Sequence, residues 1–118
     1  MMVALKNLRF LRLEWVELVG DFQYIFPKLR WLSWVLDYHK QMNLNFSLPN
    51  LETLEISSYF ITVGWDGWGM LQGLKNLKDL ILYGCCYLKT TPYFPDHMTM
   101  ERLLLKKCGY SLFGCWEY

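Results

Sequence analysis

Apolar residues recur along this chain in one order: apolar-x-x-apolar-x-x-apolar-x-apolar. The copies are Leu5, Leu8, Leu11, Leu13; Phe26, Leu29, Leu32, Trp34; Leu48, Leu51, Leu54, Ile56; Leu74, Leu77, Leu80, Leu82; and a looser fifth, His97, Met100, Leu103, Leu105. The third position of each copy falls at Leu11, Leu32, Leu54, Leu80 and Leu103, at intervals of 21, 22, 26 and 23 residues. The opening of the copy repeats as well: Leu5-Lys6-Asn7-Leu8, Phe26-Pro27-Lys28-Leu29, Leu48-Pro49-Asn50-Leu51 and Leu74-Lys75-Asn76-Leu77. The closing apolar-x-apolar step has the period of a strand. Its two anchors point one way and the residue between them points the other. An amphipathic helical bundle is the competing reading. It would need a helical period held over about ten positions or more. Pro27, Pro49, Pro92, Pro95 and Gly64, Gly67, Gly69 interrupt every long segment, and proline inside a helix costs about 3 kcal/mol.

The interval and the order of anchors match the leucine-rich repeat, about 20–29 residues long with the pattern L-x-x-L-x-L-x-x-N/C-x-L. The expected fold is therefore an α/β leucine-rich-repeat solenoid of about five repeats. Short parallel strands line its concave face; loops and short helical turns form its convex face. One array spans residues 1–118, with repeats near 3–23, 24–45, 46–71, 72–94 and 95–118, and no capping unit. One copy alone cannot bury its apolar face, so stacked anchors form a continuous core. The consensus cysteine stands at Cys85 and Cys108, while Val16, Asp37 and Tyr59 take its place in the other copies. A small buried side chain at the inside of that turn is expected to cap backbone groups. The longest interval holds Ile61-Thr62-Val63-Gly64-Trp65-Asp66-Gly67-Trp68-Gly69-Met70-Leu71. It predicts a turn and a short helix from Trp68 to Leu71 on the convex side, with Trp65 and Trp68 packing that layer. A sugar or peptide platform is the alternative for the two tryptophans.

Composition narrows the function. At 118 residues and 14.2 kDa the chain makes one modest domain. With 53% apolar residues and a mean hydropathy of +0.09 it is not a disordered chain. A net charge of +1 and a pI near 7.6 argue against nucleic acid, which demands a clustered basic excess. Uncharged apolar stretches such as Ile56 to Trp65 and Leu80 to Leu88 are about half of what a membrane span requires. Met1-Met2-Val3-Ala4-Leu5 is followed at once by Lys6, Arg9 and Arg12, which is no signal peptide. A cytoplasmic location is expected, with the nucleus also open. Cys85, Cys86, Cys108 and Cys115 are too few for a disulfide scaffold and fit a reducing compartment. No C-x-x-C occurs, and His39 and His97 stand 58 residues apart, so no metal site is expected. There is no G-x-S-x-G and no histidine beside a serine or cysteine in a nucleophile motif. Asp21, Asp37, Glu52, Glu55, Asp66, Asp79, Asp96 and Glu101 are scattered. The chain is not expected to be an enzyme or to hold a cofactor.

An ordered set of segments carries a family resemblance. It runs Phe26-Pro27-Lys28-Leu29-Arg30-Trp31-Leu32-Ser33-Trp34, Leu51-Glu52-Thr53-Leu54-Glu55-Ile56, Trp65-Asp66-Gly67-Trp68, Leu77-Lys78-Asp79-Leu80-Ile81-Leu82-Tyr83-Gly84-Cys85, Lys89-Thr90-Thr91-Pro92-Tyr93-Phe94 and Glu101-Arg102-Leu103-Leu104-Leu105-Lys106-Lys107-Cys108. This set resembles the leucine-rich-repeat region of plant intracellular immune receptors of the TIR–nucleotide-binding–leucine-rich-repeat class. The resemblance covers about residues 5 to 108. It implies a ligand-sensing or autoinhibitory repeat array in plant defence. The chain departs from the family at Thr91-Pro92-Tyr93-Phe94, where the family's aspartate is replaced by Tyr93, and keeps the cysteine step in two of five copies. Nothing matches a TIR domain or a nucleotide-binding P-loop, so nucleotide chemistry does not carry over. The chain starts inside a repeat and stops at Cys115-Trp116-Glu117-Tyr118, which reads as a fragment or truncated product.

The candidate site lies between the anchors. Outward strand positions are Phe10, Arg12, Glu14; Trp31, Ser33, Val35; Thr53, Glu55, Ser57; Asp79, Ile81, Tyr83; and Arg102, Leu104, Lys106. Phe10, Arg12, Glu14, Trp31, Ser33, Glu55, Asp79, Tyr83, Arg102 and Lys106 are the candidate protein-binding residues, because aromatic and arginine side chains dominate interface energetics. The resemblance implies a pathogen effector or the receptor's own nucleotide-binding domain as partner, with no nucleic acid and no membrane. An ordinary solvated strand face, a substrate-recognition part of a ubiquitin ligase, a receptor-kinase ectodomain and a non-functional truncated product are the alternatives. Uncapped strand edges predict self-association and poor solubility.

Overall fold

The computed structural model describes residues 5–16, 25–36, 48–58, 61–62, 64–85, 87–88, 94 and 99–106. Five strands form one sheet in chain order: β1 Phe10–Glu14, β2 Trp31–Val35, β3 Thr53–Ser57, β4 Asp79–Tyr83 and β5 Arg102–Lys106. Every neighbouring pair is parallel. The architecture is α/β-like and repeat-like, with one strand contributed per sequence copy, and the helical bundle is excluded. The anchors fall in two straight rows across the sheet. One row is Leu11, Leu32, Leu54, Leu80 and Leu103; the other is Leu13, Trp34, Ile56, Leu82 and Leu105.

The residues before each strand fix this register. A carbonyl one coil earlier accepts two consecutive N–H groups. Arg9 accepts from Arg30 and Trp31, Arg30 from Glu52 and Thr53, Glu52 from Lys78 and Asp79, and Lys78 from Glu101 and Arg102. Further upstream, each repeated tetrapeptide closes a turn. The N–H of Leu8, Leu29, Leu51 and Leu77 donates to the carbonyl of Leu5, Phe26, Leu48 and Leu74. Pro27 and Pro49 stand second in their turns, where a fixed φ near −65° is favoured.

The third residue of each turn bonds the turn before it. Asn50 Nδ2 donates to the Pro27 carbonyl at 2.7 Å, and Asn76 Nδ2 to the Pro49 carbonyl at 2.6 Å. Lys28 Nζ reaches Asn7 Oδ1 at 3.5 Å, and the Thr99 hydroxyl reaches the Lys75 carbonyl at 3.1 Å. A ladder of side-chain bonds thus runs along the turns, parallel to the backbone ladder of the sheet.

The core lies behind the middle strands. Leu51, Leu54, Ile56, Ile61, Leu77, Leu80, Leu82 and Cys85 expose no surface. Toward either edge the packing opens: Leu8, Leu11, Leu13 and Leu103 are partly buried, and Leu5 and Leu105 are exposed. Cys85 sits at the inside of the turn after β4 with its Sγ 3.9 Å from the Tyr83 carbonyl. Cys86, Cys108 and Cys115, both histidines, Asp37, Tyr59 and the Thr91–Tyr93 segment lie outside the described residues.

The long connection after β3 corrects one expectation. A 3₁₀ helix spans Asp66–Gly73, where the sequence predicts a turn and a shorter helix from Trp68 to Leu71. Gly67 lies in the first turn of this helix. The Trp65 ring lies across this position, and a Cβ there would overlap it. Trp68 Nε1 donates to the Thr62 carbonyl at 2.8 Å, and the two indoles meet edge-to-face at 5.1 Å. Phe94 adds a second edge-to-face contact to Trp68 at 6.3 Å. Trp65, Trp68 and Phe94 pack against the core. Among the described residues no helix is long and apolar enough to cross a membrane.

Candidate protein-binding face

With the anchors pointing inward, the alternate residues of five strands form three rows on the open face of the sheet. The first row is Phe10, Trp31, Thr53, Asp79 and Arg102; the second Arg12, Ser33, Glu55, Ile81 and Leu104; the third Glu14, Val35, Ser57, Tyr83 and Lys106. All ten candidate residues therefore share one surface, although they come from five separate segments.

The β1–β2 side is aromatic. Phe10 and Trp31 are 54% and 40% exposed, and their rings lie 5.9 Å apart, tilted at 46°. Arg12 lies beside them, its Nε bonded to Glu14 at 2.9 Å and its Nη1 to the Ser33 hydroxyl at 2.7 Å. The β4–β5 side is polar. The Arg102 guanidinium grips Asp79 with both ends, Nε to Oδ1 at 2.8 Å and Nη2 to Oδ2 at 3.1 Å. Thr53 Oγ1 adds a contact of 3.5 Å to Oδ2. The Arg102 hydrogen bonds hold the Asp79 carboxyl below the usual carboxylate range, and the same bonds raise Arg102. Such a forked pair fixes both side chains in direction as well as distance.

Ser33 requires correction as a contact residue. It points outward but is only 2% exposed, because the long Arg12 side chain from the neighbouring strand bonds its hydroxyl. Thr53 and Ile81 are likewise buried at 8%. A small or flat side chain between larger cross-strand neighbours loses its own access. Glu55, Val35, Ser57 and Leu104 are partly exposed, whereas Phe10, Arg12, Glu14, Trp31, Tyr83, Arg102 and Lys106 are open to solvent; the Asp79 side chain is 20% exposed.

Trp15 is a residue the pattern did not single out. It follows β1, is 62% exposed and has φ of 58°. A bulky residue in the left-handed region is an outlier. Gly84, directly after β4, occupies the matching place in its own copy with φ of 72°. Aligning Trp15 with Gly84 is the sequence signal that exposes the strain. The asparagine ladder is the other feature missed; Asn7, Asn50 and Asn76 stand in phase at the third place of their turns.

No family model matches the chain, and no solved structure matches it. A repeat-like parallel sheet with an aromatic and charged open face defines a scaffold class, and a similarity among curated proteins adds a relative. The chain is 32% identical over 104 residues to the disease resistance protein RPP4 of Arabidopsis thaliana. The match covers 86% of this chain and 9% of that protein, so the chain spans about a tenth of the length of the curated relative it matches. The chain is related to a plant disease resistance protein.

Proposed function

We propose that this chain is a leucine-rich-repeat solenoid segment that serves plant immunity by binding a protein on the open face of its sheet. The partner is a pathogen effector or the nucleotide-binding domain of the receptor to which the segment belongs. It works in the cytoplasm and by binding, without catalysis or cofactor. Several features support the solenoid: one strand per 21–26-residue copy, strands parallel in chain order, and turns bonded to the turns before them. The relationship to a disease resistance protein supports the setting.

One observation carries the binding reading. The exposed Phe10–Trp31 ring pair sits on a rigid sheet beside a fixed arginine. Exposed aromatic side chains held by strands, next to oriented charge, supply the anchors that interfaces depend on. Trp31→Ala combined with Tyr83→Ala tests it in pull-downs with the separately expressed nucleotide-binding domain and candidate effectors. Partner recovery is expected to fall at least about tenfold, as the loss of two aromatic anchors implies. Unchanged recovery with a normally folded variant removes the reading.

A further inference from the structure

We propose that Glu55, at the centre of the open face, is the seat for an arginine or lysine side chain presented by the protein partner. The inference rests on the reading of this face as a protein-binding surface and adds the charge that the partner must bring.

The placement follows from the register. Glu55 pairs with Ser33 on one side and Ile81 on the other. Trp31 stands two residues before Ser33, and Tyr83 two residues after Ile81. The three therefore lie on one diagonal: Trp31 on β2, Glu55 on β3, Tyr83 on β4. Strand spacing and rise put each aromatic about 8 Å from Glu55 between Cα atoms, within reach of long side chains. Trp31 is 40% exposed and Tyr83 36%. The Phe10 ring braces Trp31 from the far side at 5.9 Å.

Charge complementarity decides the occupant. Glu55 is partly buried, and its carboxylate makes no hydrogen bond or ion pair among the described residues. The arginines of the face are engaged elsewhere: Arg12 with Glu14 and Ser33, Arg102 with Asp79. Within its own row Glu55 is flanked by a serine already bonded to Arg12 and by a buried isoleucine. A partly desolvated anion without a cation is a poor resting arrangement, and an incoming guanidinium or ammonium relieves it. The aromatic faces on the diagonal favour the same guest, since a cation over an indole or phenol ring is attracted to its π-electrons. An acidic guest meets repulsion here, and an apolar one leaves the carboxylate dry and unpaired.

The test is a phage-displayed random peptide library selected on the full chain, on Glu55→Gln and on Trp31→Ala. Peptides retained by the full chain are expected to be enriched in arginine or lysine at one position. Synthesised, they should bind Glu55→Gln at least about tenfold more weakly, as the loss of a charge-assisted bond implies, and Trp31→Ala several-fold more weakly. Replacing the peptide arginine by citrulline should cost the same factor on the full chain and little more on Glu55→Gln. This arm leaves the protein untouched, so it separates recognition from folding. Peptides that weaken on Trp31→Ala yet show no basic enrichment and ignore Glu55→Gln overturn the Glu55 seat while leaving the face a binding surface. Peptides indifferent to both variants, or no peptide retained, overturn both.

Discussion

Leu54→Ala is the sharpest probe of the stacked anchors. Leu54 exposes no surface and stands between Leu32 and Leu80 in the row that crosses all five strands. The substitution removes three carbons, about 2.4 kcal/mol of transfer free energy at about 0.8 kcal/mol per group. Neighbours on two strands are held by ladder bonds and close the gap incompletely, which adds a further 1–2 kcal/mol or so for the cavity. The expected cost is about 3.5–4.5 kcal/mol. Leu105 occupies the second anchor row on β5 and is 46% exposed. Roughly half of its transfer term is already lost to water, and no enclosed cavity forms, so Leu105→Ala should cost about 1 kcal/mol. Leu11→Ala, partly buried on β1, should fall between the two. Urea unfolding followed by tryptophan fluorescence reads this series, because Trp34 is 2% exposed and shares the core with Leu54. Equal losses at Leu54 and Leu105 would refute the reasoning, since a core closed in the middle and open at its edges requires them to differ.

Two further outcomes concern polar contacts. Asn76→Ala deletes the 2.6 Å bond to the Pro49 carbonyl and should cost about 1 kcal/mol, the usual net worth of such a bond; Asn76→Asp, which keeps the shape but loses the donor, should cost at least as much in the same urea assay. The Arg102–Asp79 contact depresses the Asp79 carboxyl, so its contribution to stability is present above the unfolded-state value and fades as pH falls through the lower folded one. A carboxyl-detected NMR titration should therefore place the Asp79 midpoint below the ordinary aspartate value of about 3.9, and Arg102→Gln should return it toward that value; a midpoint unmoved by Arg102→Gln sinks the assignment.

The strands were legible because a period of two and a constant offset leave little freedom. Leu11, Leu32, Leu54, Leu80 and Leu103 meet side by side because each copy repeats the same turn and the same two-residue step into the strand. Cys85 was legible for the same reason, since its place is set within one copy. Ser33 was not. Its burial depends on Arg12, which lies 21 residues earlier and touches it only after the strands have paired. The seating of the Trp65 ring was hidden too: it lies where a side chain at Gly67 would have to go. A hydrophobic pattern registers neither event, because both depend on the volume of one particular neighbour.

That difference bears on how such a face tolerates substitution. The pleat puts the leucine rows and the open face on opposite sides of each strand, so an outward residue can vary without disturbing the packing behind it. The rows across the strands limit this freedom. Arg12 covers Ser33, Asp79 orients Arg102, and Phe10 supports Trp31. Replacing Arg12 with a short side chain alters the accessible surface at Ser33 as well as its own charge. Outward positions are thus coupled across copies at separations of 21 and 23 residues in sequence. Glu55 stands apart from these pairs. Its carboxylate makes no hydrogen bond or ion pair among the described residues, so a substitution there disturbs none of these cross-strand pairs.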